Sequence, residues 1–393
     1  MNFISNIANT KFGLGCGIFA FIFGTYFLII NERNYKRTLD TILEAESVVE
    51  KVNDVNIIDS ESDNKLIYGV SKTRTDEIIS DGLFEVSVNA IKIIRSVEYY
   101  QWVQDSHLEE YEDYSGKTHS KKVYTYEKQW TDKLIDSEKF EEPKYRNRAI
   151  FRIAKKDIYA DQVYWGAYEL PPFLKSKIDG VTPIAINLSK GGKAAWEEAL
   201  KKEVRKYYQD SVEVTGEYLH LIRANTVHLG ANPASPKIGD IRVTMTYIPP
   251  GRDLSVIAQV QGNTFTKYTS KNGKSFFSVQ NGTVGIEAMF KAERETNTSL
   301  TWFFRIFGLF CVIFGIRFTL RLVTNLFAKI PIIGDIVNAG VKTITFIVGF
   351  VWSFIIIGIA YLFYRPLIGI AVLLIAVGLI WILKKKGEVN LDT

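Results

Sequence analysis

Residues 343–383 read TITFIVGFVWSFIIIGIAYLFYRPLIGIAVLLIAVGLIWIL, with a single charge, Arg365, in the whole run. An α-helix rises about 1.5 Å per residue, so roughly 20 apolar residues cross the hydrocarbon core of a bilayer. The run therefore holds two crossings, 343–363 and 366–383, joined by the tight link Tyr364-Arg365. Upstream, a further apolar segment covers 302–320; its uninterrupted core, 306–316, is bounded by Arg305 and Arg317, which are placed to snorkel to the interfaces. A fourth segment, 12–30, carries no charge. Lys11 precedes it, as in a secretory signal. Its apolar run is longer than a signal core, however, and no Ala-x-Ala-like cleavage site precedes Asn31, so an uncleaved anchor is expected.

These four segments bracket a mixed stretch, 31–299, that holds nearly all of the acidic residues. The expected organisation is an N-terminal stub and first span (1–30), a soluble domain (31–299), spans two to four (300–383, with an interfacial segment at 327–342) and a basic tail (384–393). Basic residues set orientation. Lys11, Arg317, Arg321, Lys329, Lys342, Lys384, Lys385 and Lys386 lie on the side shared by the termini; Arg33, Lys36, Arg37, Arg305 and Arg365 lie on the other. This bias places both termini in the cytoplasm and the large domain outside it. Trp302, Tyr361 and Tyr364 would form the outer aromatic belt, with Trp381 on the inner side.

Within 31–299 the pattern predicts an α+β domain, mainly antiparallel sheet with a few helices. The first span continues outward as a helix through about residue 54. Strands are expected near 66–70, 90–104, 149–156, 181–188, 212–222, 241–248 and 254–261. Residues 194–209 carry a helical face of Trp196, Leu200 and Val204, and 284–299 form a helix running into the second span. The clearest local feature is a long hairpin over 97–130. Two aromatic arms flank a polar tip, with acids before it (Glu109, Glu110, Glu112, Asp113) and bases after it (Lys117, Lys121, Lys122).

Signals for chemistry are sparse. The net charge of +5 is spread among acids rather than gathered into a stripe, which argues against nucleic acid. The two cysteines, Cys16 and Cys311, both fall in predicted spans, so the domain has neither disulfides nor a thiolate metal site. His107, His119, His220 and His228 have no second ligand at metal spacing. Gly191-Gly192-Lys193 before a helix is an anion site in principle, but it lacks the rest of a phosphate loop. No catalytic constellation emerges, and neither cofactor nor metal is expected. The spans carry no central acid, so a proton relay or ion-coupled transporter is disfavoured. Gly13 and Gly17 are four apart, as are Ala20 and Gly24, a spacing that permits close helix approach and points to self-association. The connection containing Pro331, Asp335, Asn338 and Gly340 is too short to cross and return. It is read as an interfacial segment and a candidate contact surface.

The chain resembles the transmembrane protein 43 family. The resemblance rests on Tyr100-Gln101-Trp102-Val103, Tyr124-Thr125-Tyr126 and Trp130, Ile135-Asp136-Ser137, Asn232-Pro233, Gly239-Asp240-Ile241-Arg242-Val243, Thr301-Trp302, Arg305, Pro331, Asp335, Val337-Asn338 and Leu362-Phe363-Tyr364-Arg365-Pro366-Leu367. It covers nearly the whole chain and is weak over 145–231. It implies a membrane-organising protein without enzymatic activity. Its animal members reside in the endoplasmic reticulum and inner nuclear membrane, self-associate, and are associated with emerin and lamins. The short polar N-terminus and the Lys, Ile and Asn bias suggest a bacterial homologue. A bacterial inner or plasma membrane is then the expected location, or the endoplasmic reticulum or inner nuclear membrane if the source is eukaryotic. The expected partners are membrane lipid, a second copy of the chain, and an unidentified membrane or extracytoplasmic protein. Two other readings are a membrane-anchored sensor or effector responding to a ligand or stress, and a membrane-bound hydrolase.

Overall fold

The computed structural model describes residues 2–52, 54–112, 114, 118–147, 151–208, 214–327, 333–362 and 366–389. The chain divides into a helical unit, Met1–Glu50 with Lys267–Ser278 and Gly285–Thr393, and a sheet unit, Lys51–Thr266 with Val279–Val284.

The helical unit contains α1 (Asn2–Val48), α4 (Ile286–Phe327), α5 (Ile333–Leu362) and α6 (Pro366–Val389). Three segments are long and apolar enough to cross a membrane: Leu14–Val48, Ile286–Leu320 and Thr343–Leu362. The fourth expected span falls in α6, where the apolar stretch among the described residues is the shorter Gly369–Gly378. At 47 residues, α1 is about 70 Å long, so it extends well beyond a hydrocarbon core of about 30 Å. The polar continuation of the first span is therefore part of the same helix, and α4 enters its span from a polar start in the same way.

α1 and α4 run antiparallel. Gly17 is against Thr319, Gly24 against Cys311 and Val312, and Leu28 against Gly308. Asn31 Nδ2 donates to Thr301 O at 3.1 Å, Asn297 Nδ2 donates to Tyr35 O at 3.1 Å, and Arg294 pairs with Glu46 at 2.6 Å. Small residues sit at each close crossing, because lipid tails offer no hydrophobic drive and association must come from tight contact. α5 joins through Gly349 against Ile313 and through the Trp352 indole, which donates to Thr25 Oγ1 at 3.0 Å.

The sheet unit holds two main antiparallel sheets. One runs Thr264–Thr266, Asp253–Gln261, Leu66–Arg74, Tyr164–Trp165, Tyr168–Glu169. The other runs Leu219–Arg223, Thr226–Leu229, Ile241–Ile248, Lys92–Glu112, Thr118–Thr131. Strand alternation is clear at 241–248. Ile241, Val243 and Met245 are buried, while Arg242, Thr244 and Thr246 are half-buried. Trp165 fills the first sheet's core, its indole donating to Leu254 O at 2.8 Å. Gly69 leaves it room, since a Cβ there would lie 2.8 Å from the ring.

Several expected strands differ. Residues 151–155 are not strand, and that stretch begins pairing only at Lys156–Tyr159. The 181–188 run supplies just Thr182–Pro183, and 212–222 supplies Leu219–Arg223. Apolar β-formers in these runs pack into the core from irregular chain, as Ile153 and Ile186 do. Two further helices complete the unit, the short α2 (Pro172–Lys175) and α3 (Lys190–Tyr208), which buries Trp196, Leu200 and Val204.

Tyr168 is fully buried, and its hydroxyl finds no hydrogen-bond partner among the described residues. An unmet buried hydroxyl costs about 1–3 kcal/mol. Tyr168→Phe is therefore expected to leave stability unchanged or raise it by about 1 kcal/mol in chemical denaturation. A loss of that size would mean that the hydroxyl is bonded.

Candidate functional site

The helical unit carries its main polar feature where apolar sequence would predict none. Glu32 lies two residues past the first apolar run, and Arg305 lies inside the second. Antiparallel pairing of α1 and α4 brings them together. Arg305 Nε donates to Glu32 Oε1 at 2.7 Å, and its Nη2 donates to Glu32 Oε2 at 2.8 Å. The same Nη2 donates to the Tyr361 hydroxyl on α5 at 2.6 Å. Glu32 is 1% exposed and Arg305 8%. The guanidinium also lies 4.6 Å from the centroid of the Trp302 ring. One planar fork thus ties three helices with bidentate geometry that lysine could not reproduce.

This clamp has a defined chemical competence. Arginine does not release its proton in proteins, so the pair cannot relay one. Both carboxylate oxygens accept from the guanidinium, so an ion passing through would have to displace it. The best-attested use of such a buried pair is to fix register, and here it fixes α1, α4 and α5 against one another. Arg305 is expected at the membrane interface, and its guanidinium is turned onto Glu32 and Tyr361. Glu32 was missed because the positive-inside count weighs only bases. The signal available was an acid abutting one apolar run and an arginine inside another.

Beyond the clamp, a short hairpin grips both long helices. Tyr268–Thr269 pairs with Ser275–Phe276 around a turn in which Gly273 takes φ +80°, open only to glycine at low cost. Asn272 donates to Arg37 O at 2.8 Å and to Thr41 Oγ1 at 2.9 Å, and Arg37 Nη2 donates back to Asn272 O at 2.6 Å. Tyr268 donates to Glu44 Oε1 at 2.8 Å, and Glu44 also accepts from Lys271 N. On α4, Phe276 stacks on Phe290 at 5.6 Å and Ser278 donates to Glu293 at 2.7 Å. Burial of Lys274 lowers its pKa from the ordinary value, with Arg37 adding repulsion.

Burial, and then the bond to Glu44, push Tyr268 up to about 12. The folded state thus holds the phenol proton more tightly than an unfolded chain at about 10. The contribution is complete below pH ~10 and is lost as pH rises toward about 12. Tyr268→Phe should remove that limb of the pH–stability profile; an unchanged profile would show that burial and Glu44 together do not raise the Tyr268 phenol in the folded chain.

The sheet unit has a separate polar cluster in which His228 and Asp240 are buried. His220 and His228, which the sequence shows as eight apart, are cross-strand partners with rings 6.3 Å apart. His228 Nε2 lies 3.2 Å from Asp240 Oδ2 without the alignment of a hydrogen bond. Gly230 makes room for that carboxylate, since a Cβ there would stand 2.3 Å from Asp240 Cγ. His228 is 1% exposed and Asp240 2%, so no substrate reaches them as they stand. The helix entry at Gly191-Gly192 already holds an anion of its own. Glu85 accepts from Ser189 N at 2.6 Å and from Ser189 Oγ at 3.0 Å. A Cβ on Gly192 would sit 2.2 Å from that carboxylate. Among the described residues, no cluster of three metal-ligating side chains occurs.

The remaining candidates are placed as follows. Gly17 and Gly24 are buried against the chain's own α4, and Ala20 is half-buried on the same helix. Gly13 lies in α1, and Asp335, Asn338 and Gly340 lie in α5. Trp302 and Trp381 are exposed at 57% and 62%, and Arg317 is exposed. Pro331, Tyr364 and Arg365 lie outside the described residues.

An antiparallel-sheet unit inserted between apolar helices near the two chain ends defines a polytopic membrane protein with a large non-membrane domain. The family profile described as Transmembrane protein 43 matches residues 99–366. The chain belongs to the transmembrane protein 43 family. It is 25% identical to Transmembrane protein 43 of Rattus norvegicus over 375 residues, which is 93% of this chain and 88% of the rat protein. The Homo sapiens protein is 24% identical over the same shares. The Drosophila melanogaster homolog is 25% identical over 304 residues, 76% of this chain and 74% of that one. No solved structure matches.

Proposed function

We propose that the chain is a non-enzymatic, self-associating membrane scaffold that presents its sheet unit for protein interaction and membrane or envelope organisation. In this reading α6 completes a fourth span, both termini are cytoplasmic, and the sheet unit is extracytoplasmic. At 24 residues α6 would be about 36 Å long, enough for one crossing. The observation that carries the reading is the Glu32–Arg305–Tyr361 clamp, which couples three helices without offering a transport path or a reactive group. A pre-organised support is the use that such an arrangement serves best.

The sided part of this reading is tested with single-cysteine variants at residues 2 and 393 and an impermeant thiol label, in a background lacking Cys16 and Cys311. Labelling of both positions from the cytoplasmic side alone is expected. Labels on opposite sides would reduce the spans to an odd number and overturn the proposed topology. A second reading, a sensor of ligand or stress, draws on the unbroken α1 and α4 and requires the clamp to open in one of its states.

A further inference from the structure

Strand Lys92–Glu112 is 21 residues long, and its body and its arm have different neighbours. Up to Tyr99 one edge is paired with Ile241–Ile248. Tyr100 continues that edge through Asp240 O and Gly239 N, and Trp102 through the Asn147 side chain, which bonds both its N–H and its C=O. From Gln104 to Glu112, no strand among the described residues lies on this edge. The opposite edge pairs with Thr118–Thr131 from Tyr99↔Thr131 down to Glu112↔Thr118, and that second strand has no other strand partner among the described residues. A two-stranded arm about 25 Å long results. Leu108 is 69% exposed, Tyr111 54%, and Lys121 and Lys122 are exposed.

An isolated two-stranded ribbon is marginal in water, and open edges are templates for another chain. This arm carries no edge proline and no break in its register. Its charges are sorted by strand. Asp105, Glu109, Glu110 and Glu112 lie on the first strand; Lys121, Lys122 and Lys128 lie on the second, where Glu127 is the one acid. Pairing like strands of two copies would set acid against acid or base against base. Pairing the first strand of one copy with the second strand of another sets acid against base.

When the second strand of one copy lies antiparallel to the first strand of its neighbour, the contact repeats the pairing found within the hairpin. A contact of this head-to-tail kind uses two different edges and closes into a ring when the rotation allows. We propose that the arm is the self-association surface. The Thr118–Thr131 edge of one copy docks on the Gln104–Glu112 edge of the next, extending the sheet across copies. This rests on the self-association reading above and names its surface.

The test uses full-length protein in mild detergent and two charge-reversed variants, E109K/E110K and K121E/K122E. Each variant alone presents the same sign at positions 109–110 of one edge and 121–122 of the other, and should run as a monomer. Their mixture presents complementary edges and should recover an assembly holding both variants in equal number. Independently, L108C and K122C in a background lacking Cys16 and Cys311 should crosslink when mixed and not when alone. The surface is wrong if either charge variant alone keeps the wild-type assembly mass, if the mixture stays monomeric, or if either cysteine variant crosslinks to itself. Self-association would survive the first of these outcomes. A wild-type monomer would remove both the surface and the self-association reading.

Discussion

An Arg305→Met variant is expected to lose about 3–5 kcal/mol of stability, the range typical of breaking a buried pair by removing one partner. The loss arises because Glu32, 1% exposed, would be left with neither of its two guanidinium bonds. The Tyr361 hydroxyl would lose its donor as well. The double variant Glu32→Gln/Arg305→Met should recover most of the loss, since replacing both members of a buried pair with similar volumes is often neutral or stabilising. Unfolding of the detergent-solubilised protein, single against double, separates the two cases. A single variant as stable as the wild type would mean that Glu32 is hydrated or otherwise paired. A double variant as weak as the single would mean that packing of the arginine stem, rather than the charge, holds the three helices.

Gly315→Ala is expected to be destabilising at the upper end of about 1–3 kcal/mol for overpacking. The added Cβ would stand 2.4 Å from Phe21 N, 2.7 Å from Phe21 Cα and 2.8 Å from Gly17 O. These are backbone atoms, so no side-chain rotation relieves the contact and α1 must move away from α4 as a rod. Gly15 is the control, because a Cβ there meets nothing within 4 Å. Gly15→Ala should gain up to about 1 kcal/mol from helix propensity alone. Opposite signs at two glycines of one helix pair would locate the close crossing. Equal effects would show that α1 and α4 are farther apart than described.

The parts of the fold that were legible in sequence are those set by one-dimensional patterns. Apolar runs located the helices at both ends. Alternation marked 241–248, a largely apolar run between turn signals located 254–261, and charge opposition with aromatic arms located the long hairpin. Short strands such as Thr226–Leu229 and Tyr164–Trp165 were not legible, because two to four residues carry no period and their pairing is decided by distant partners. The clamp was illegible for a related reason. Glu32 and Arg305 are separated by 273 residues, and only the antiparallel α1–α4 register brings them together. His220 and His228 gave a spacing without a metal motif, and the strand register reveals what the spacing means. Gly17 and Gly24 were legible as close-packing positions, while the partner helix was not.

The most direct measurement is the mass of the native, full-length protein extracted in mild detergent and lightly crosslinked. A discrete multiple of the 44.7 kDa chain, with or without a stoichiometric second protein, is the result that a scaffold predicts. A lone monomer at every protein concentration would contradict it.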